Sequence, residues 1–327
     1  MSGVETVEVK AGEAGARLDR WFRRRYPQVT QGALQKLLRT GQVRVDGARA
    51  KADKRLEAGQ SVRVPPLPEA APPSAPKAVS AKDKAFVRGL VIYEDDDMIA
   101  LNKPAGLAVQ GGTKTTRHLD GMLDALAKKG ERPRLVHRLD RDTSGVLILG
   151  RTPAAAAALA KAFQSHRAQK TYWAIVRGVP RPARGWVKGF IKKGRPAGGG
   201  DREMMVRAKH GEAGAQHART AYAVVANAGK RASWLALRPE TGRTHQLRFH
   251  AAEIGHSICG DRKYACDIPE PEGLPEGLML HARELVIPHP SQNRALALTA
   301  PLCAHMADAF EQLGFDESAY DDPFADE

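Results

Sequence analysis

The chain has 327 residues, 42% of them hydrophobic, with 51 Lys and Arg against 37 Asp and Glu for a formal charge of +14. It is long enough for about two domains and apolar enough to bury a core, which excludes a disordered chain. No apolar stretch approaches about 18 residues and no signal-peptide core stands at the N-terminus, so neither a membrane partner nor export is expected.

Only Cys259, Cys266 and Cys303 occur, without a C-x-x-C pair, which suits a reducing cytoplasm and argues against a cysteine-rich metal site. The last basic residue is Arg294, and eight acids lie in Asp308–Glu327. The body is therefore more basic than the total suggests, and a polyanion, nucleic acid before membrane, is the expected partner.

Residues 1–64 read as a small module. Leu18, Trp21 and Phe22 recur at helical spacing and stop before Pro27. Thr30 as N-cap, Leu34, Leu37 and Leu38 inward and Gly41 as C-cap predict a second helix. VRV, the Asp46-Gly47 turn and SVRVP at 61–65 predict short strands. Fourteen Lys and Arg against seven Asp and Glu leave Arg23, Arg24, Lys36 and Arg39 as candidate RNA contacts on an exposed helical face. RLDRWF (17–22), LQKLLRTGQVRVDG (34–47) and RLEAGQSVRVP (55–65) resemble the S4 RNA-binding domain, which implies a helix pair that grips RNA through its phosphates.

Six prolines in 65–76 predict a linker over 65–85. VIY and MIAL (91–101) read as strands, and the Asn102–Gly106 stretch as a bend with Lys103 solvated in it. Leu119–Leu126 reads as a short helix.

HRLDRDTSGVLIL (137–149) stands out. A polar stretch with two cations and two carboxylates, Arg138, Asp140, Arg141 and Asp142, runs through Gly145 into an apolar strand, so the loop lies at the edge of a core. A helix capped by Thr152 follows, then the strand TYWAIVRG (171–178), a Gly- and Lys-rich excursion (184–201) and two alternating strands (218–226, 233–242). The stretch 242–264 reads as a helix with a trailing loop, and 278–290 and 295–301 as closing strands. The acidic tail, 311–327, is expected to be disordered.

His245, His250 and His256 lack the spacing that stacks two metal ligands on one helix face, and no G-x-G-x-x-G or P-loop appears. An RNA clamp without catalysis needs no more than the basic charge and the N-terminal module.

YEDDDMIALNKPAGLAV (93–109), HRLDRDTSG (137–145) and LRPETGRTHQLRFHAAEIGHSICGD (237–261) together resemble the RluA family of pseudouridine synthases, in its RluC-like, large-subunit type. The resemblance implies an α+β chain: the S4-type module, then a catalytic domain over 86–310 built on a largely antiparallel, bent mixed sheet. It implies a cytoplasmic, cofactor-independent enzyme, expected to be a monomer, that isomerises uridines of 23S ribosomal RNA or its precursor. Asp140 matches the catalytic aspartate, as nucleophile or base. Tyr172 matches the tyrosine that stacks on the uracil and is a candidate to help remove the C5 proton, and Arg248 the arginine that pairs with the aspartate, beside Leu247. Arg138 matches the residue that fills the place of the flipped base. An enclosed carboxylate needs a cation to stay ionised, so Asp140 and Arg248 are expected within about 4 Å of each other.

Overall fold

A computed structural model describes residues 3–67, 79–112, 117–195 and 204–325. The chain divides into two compact units, Met1–Ala78 and Val79–Glu327.

The first unit runs β1 (Glu5–Glu8), α1 (Leu18–Arg25), α2 (Gln31–Arg39), β2 (Arg44–Val45), β3 (Ala48–Arg49) and β4 (Ser61–Val64). In α1 the buried stripe is Leu18, Trp21 and Phe22, with Arg23, Arg24 and Arg25 in the last turn, where cations oppose the negative end of the helix dipole. Thr30 Oγ1 caps α2 by accepting the Ala33 amide at 3.2 Å, and Leu34 and Leu38 turn inward. Both helices pack with Val43, Val45, Leu56 and Val62 over an antiparallel sheet ordered β1-β4-β2-β3. Most of the expected linker, 68–78, lies outside the described residues.

The second unit begins at Val79, inside the stretch 65–85 expected to hold the boundary. Helix α3 (Ala81–Gly89) is capped by Ser80 and buries Val87 in a core of that unit. There follow β5 (Val91–Glu94), β6 (Met98–Lys103), a 3-10 helix over Leu119–Leu126, β7 (Arg134–Leu135), β8 (Ser144–Gly150), α4 (Pro153–Gln164), β9 (Gln169–Arg177), β10 (Arg184–Gly194), β11 (Met204–Ala208), β12 (Gln216–Ala228), β13 (Ala232–Pro239), α5 (Gln246–Glu253), β14 (Leu280–Pro288), β15 (Ala295–Thr299) and α6 (Ala304–Leu313).

These strands form one 11-stranded sheet with the path β11-β10-β12-β13-β9-β14-β8-β6-β5, β15 pairing β14 and β7 pairing β8. Every pairing is antiparallel except β14 with β8, which is parallel over two residue pairs, His281 with Ser144 and Ala282 with Gly145. At that junction the strands touch: a Cβ on Gly145, whose φ is +111°, would lie 2.2 Å from the Ala282 carbonyl oxygen. Only glycine fits there.

Two expectations are corrected. The Gly- and Lys-rich stretch from 184 is a strand, β10, up to Gly194; residues 196–203 lie outside the described set. The acidic C-terminal stretch is ordered through residue 325. Phe324 is 1% exposed and packs on Ala221, Ala223 and Ala236. Arg238 binds the Asp322 carboxylate at 2.7 Å and the Phe324 carbonyl at 3.0 Å, and Arg283 pairs with Glu317 at 3.1 Å. Asp322 and Glu317 are thus paired with sheet arginines, and the aromatics beside them supply the buried area that a disordered tail lacks.

Candidate active site

A row of paired residues crosses the sheet beneath the site: Lys103–Gly145, Gly145–Ala282, Ala282–Tyr172 and Tyr172–Leu237. The row fixes Tyr172 two strands away from the start of β8, where the polar loop 137–143 ends. At the far end β13 runs into the turn that starts α5, which carries Leu247 and Arg248.

The loop is tied down at both ends. His137 Nε2 accepts the Ile148 amide of β8 at 2.9 Å, and its ring stacks on Phe163 with centroids 4.4 Å apart. Burial lowers its pKa to about 3, so it stays neutral and can accept. The Lys103 ammonium, fully buried, donates to the carbonyls of Pro104, Leu107 and Arg141 at 2.8, 2.9 and 2.9 Å. The last of these lies in the loop itself. Lys103 is thus a buried tether rather than a solvated turn residue. Burial pushes its pKa down to about 8, with Asp142 and Asp140 opposing, so it is charged at neutral pH. Between these anchors Leu139 points inward, 5% exposed, and Arg138 is exposed.

Arg138, Asp140, Tyr172, Leu247 and Arg248 all line one cavity of about 140 Å³. That is close to the volume known to hold a single benzene ring. Tyr172 is half-buried there. Its phenol is pushed above its ordinary pKa by burial first and by the charge of Asp140 second, so it keeps its proton at neutral pH.

The expected ion pair between Asp140 and Arg248 is not present. Arg248 instead makes a two-pronged contact with Asp261, Nε to Oδ2 and Nη2 to Oδ1, both 2.7 Å. These side chains are 7% and 1% exposed. Asp261 also accepts the amides of Lys263 and Tyr264 at 2.8 and 3.2 Å. The more deeply buried carboxylate has the greater need of a cation, and the planar guanidinium matches it with two parallel bonds. Burial works against the charge on Arg248; the Asp261 contact, helped by the more distant charge of Asp140, holds its pKa above the usual value. Asp140 therefore lies in the field of Arg248 without touching it. Among the described residues its carboxylate accepts no hydrogen bond.

Three further residues escaped sequence reasoning. Asp261 sits in a loop with no periodic signal. His245 lines the cavity in the left-handed region at φ +51°, a conformation that costs a non-glycine residue energy and clusters at functional sites. Its Nδ1 is 3.0 Å from the Tyr264 hydroxyl, which in turn accepts the Met205 amide at 2.9 Å. Lys170 also lines the cavity, half-buried, and its ammonium makes no hydrogen bond or ion pair among the described residues.

In the other unit Arg23, Arg24, Lys36 and Arg39 are all exposed. Arg23 reaches from α1 to Gln31 of α2 at 2.7 Å. Asp95, Asp97 and His289 bring ligand atoms within 4.8 Å of one another. Asp95 is already occupied there by His289, Tyr93 and the amides of Asp97 and Met98, which suits a structural network.

The family model described as RNA pseudouridylate synthase matches residues 97–253, the span that carries Arg138, Asp140, Tyr172, Leu247 and Arg248. The chain belongs to that family: it is an RNA pseudouridine synthase, an isomerase. More particularly, it is similar to proteins named ribosomal large subunit pseudouridine synthase C. That of Vibrio cholerae is 32% identical over 319 residues, covering 95% of this chain and 97% of that one. That of Escherichia coli is 33% identical over 309 residues, covering 91% and 93%, and that of Rickettsia bellii 35% over 292 residues, covering 88% and 94%. Among solved structures it resembles human RNA pseudouridylate synthase domain containing 4, with a TM-score of 0.60 and 28% identity over 71% of this chain and 97% of that one. The human protein with domain containing 1 in its name aligns with a TM-score of 0.51 at 27% identity over 71% and 86%.

Proposed function

We propose that this enzyme isomerises specific uridines of 23S ribosomal RNA, within the large-subunit RNA or its precursor, and that Asp140 is its catalytic carboxylate. The observation that carries the reading is one ring-sized cavity lined by Asp140, Tyr172 and Arg248. The names of its relatives support the RNA. The exposed cations Arg23, Arg24, Lys36 and Arg39 on a helix pair support an S4-type RNA-binding role for the first unit.

The uridine leaves its stack, and Arg138 at the exposed rim fills the gap; flipping costs a few kcal/mol of unstacking, which such an insertion offsets. The uracil ring lies on Tyr172, with Leu247 as apolar wall. The Asp140 carboxylate, with its lone pairs uncommitted, either attacks C1′ or takes a sugar proton. The C1′–N1 bond breaks, the base turns, C5 bonds to C1′, and the C5 proton departs. Tyr172, its phenol pushed up by burial, is a protonated platform at neutral pH. Asp140 is the carboxylate at hand to receive the C5 proton, and a proton taken up at N1 completes the isomer, so none is gained or lost overall. Arg248, held charged by Asp261, keeps a positive charge near Asp140 while leaving its oxygens open.

Asp140→Asn should abolish pseudouridine in 23S transcripts and leave RNA affinity within a few-fold of wild type, since the change removes no cation from a phosphate. Turnover near the wild-type rate would remove Asp140 from the chemistry. Wild-type protein that binds ribosomal RNA yet forms no pseudouridine would favour a clamp.

A further inference from the structure

Three of the four tryptophans are buried: Trp21, Trp173 and Trp234 are 3%, 1% and 0% exposed. Trp186 on β10 is 39% exposed, on the face of the strand opposite buried Val187. Its ring is also held in place. The Arg219 guanidinium carbon sits 4.0 Å from the ring centroid, and Arg219 is itself fixed by Glu240 at 3.1 Å.

Trp186 lines a cavity of about 700 Å³, together with His166, His217, Arg238 and Glu240. Lys170, Pro239 and Thr241 line both this cavity and that of Asp140. The two are neighbours across a shared wall, and the half-buried Lys170, without an ion-pair partner among the described residues, stands on that wall. An aromatic platform backed by a guanidinium, and a cation between it and a one-ring pocket, match the repeat of a polynucleotide: base, phosphate, base.

We propose that this second cavity is a nucleotide subsite, in which a base next to the target uridine stacks on Trp186 while the linking phosphate meets Lys170. The inference rests on the reading of the Asp140 cavity as the uridine site. It adds a single-stranded flanking nucleotide as the ligand, of any base, because stacking is sequence-tolerant. The subsite adds affinity rather than chemistry.

The arrangement gives a direct optical readout, because Trp186 is the tryptophan that a neutral quencher such as acrylamide can reach. With full-length protein carrying Asp140→Asn, a saturating 23S transcript should abolish most of the acrylamide quenching of tryptophan emission. The same RNA should leave the residual quenching of Trp186→Phe unchanged. In steady state, Trp186→Ala should raise KM for the transcript about tenfold with kcat within about twofold, the size of one lost base stack. Trp186→Phe, which keeps a platform, should stay within about threefold of wild type. Unaltered quenching of Trp186 at saturating RNA, or an unchanged KM in Trp186→Ala, overturns the subsite while leaving pseudouridine formation by the wild type intact. Protection of Trp186 in a protein whose wild type forms no pseudouridine would instead overturn the uridine reading on which the subsite depends.

Discussion

Replacing Arg248 with Ala removes the guanidinium that grips both oxygens of the Asp261 carboxylate. Asp261 is 1% exposed along its side chain, so water cannot take over, and its two amide bonds both go to Oδ1, leaving Oδ2 without the Arg248 donor. Breaking one side of such an enclosed pair costs about 3–5 kcal/mol. For a unit of this size each kcal/mol lowers Tm by about 2–4 °C, so the midpoint should fall by roughly 6–20 °C. The assay is thermal unfolding followed by circular dichroism, run as a double-mutant cycle. Arg248→Ala and Asp261→Ala should couple by about 1–3 kcal/mol. Arg248→Ala and Asp140→Ala should be additive within about 0.5 kcal/mol, because Asp140 feels the charge without bonding it. Arg248→Lys keeps the charge but loses the fork, and should recover part of the stability and little of the turnover. Stronger coupling to Asp140 than to Asp261 would mean that the working enzyme pairs Arg248 with the catalytic carboxylate, and the account of the site given above would fall.

Lys103→Met should leave three carbonyls without a donor and slow turnover at least tenfold through the loosened loop, read in single-turnover assays. Its pH dependence has a definite sign: the folded pKa of about 8 lies below the usual 10.5, so the unfolded chain binds the extra proton between them. The cost of burying the ammonium is therefore largest below pH 8 and is relieved as pH rises towards 10.5; denaturation midpoints of wild type minus variant should increase over that window. Gly145→Ala should cost at least about 3 kcal/mol from the positive φ and the approach to Ala282 combined, seen as lost soluble yield or a lowered Tm. Changing Arg23, Arg24, Lys36 and Arg39 together to Ala should reduce the slope of log K against log salt by about 0.9 for each phosphate no longer neutralised; an unchanged slope would remove that face from RNA binding.

How much of this was legible follows from what each residue broadcasts. Alternating or continuous apolar strands such as β6, β8 and β13 announce themselves, and so does the Thr152 cap of α4. The five cavity residues fell together because a motif ordered them, though they come from segments up to 110 positions apart. What stayed hidden depended on partners. Lys103 in a turn looks solvated until three carbonyls close around it. Asp261 looks like any loop acid until Arg248 turns to it rather than to Asp140. Trp186 sits among Lys and Gly, which conceals a strand whose outward face is used. The C-terminal acids suggested a free tail because net charge says nothing about Phe324 between them.

The lone parallel junction of the sheet has a consequence for how the enzyme is tuned. Asp140 belongs to the half that contains β5, β6 and β8, while Tyr172 and Arg248 belong to the half built on β9 to β14. Two residue pairs join the halves. Behind that seam lie Val146 and Ile148 from one side, Leu285 and Ile287 from the other, and Leu159 of α4 across both. The joint is therefore glued by side-chain volume more than stitched by backbone bonds. A packed layer of that kind shifts by fractions of an ångström when a methylene is added or removed, and reacting groups respond to displacements of that order. Turnover in this enzyme should accordingly register the bulk of Leu159 or Ile287, residues that never see the RNA, much as the gap of a caliper registers the thickness of a shim at its pivot.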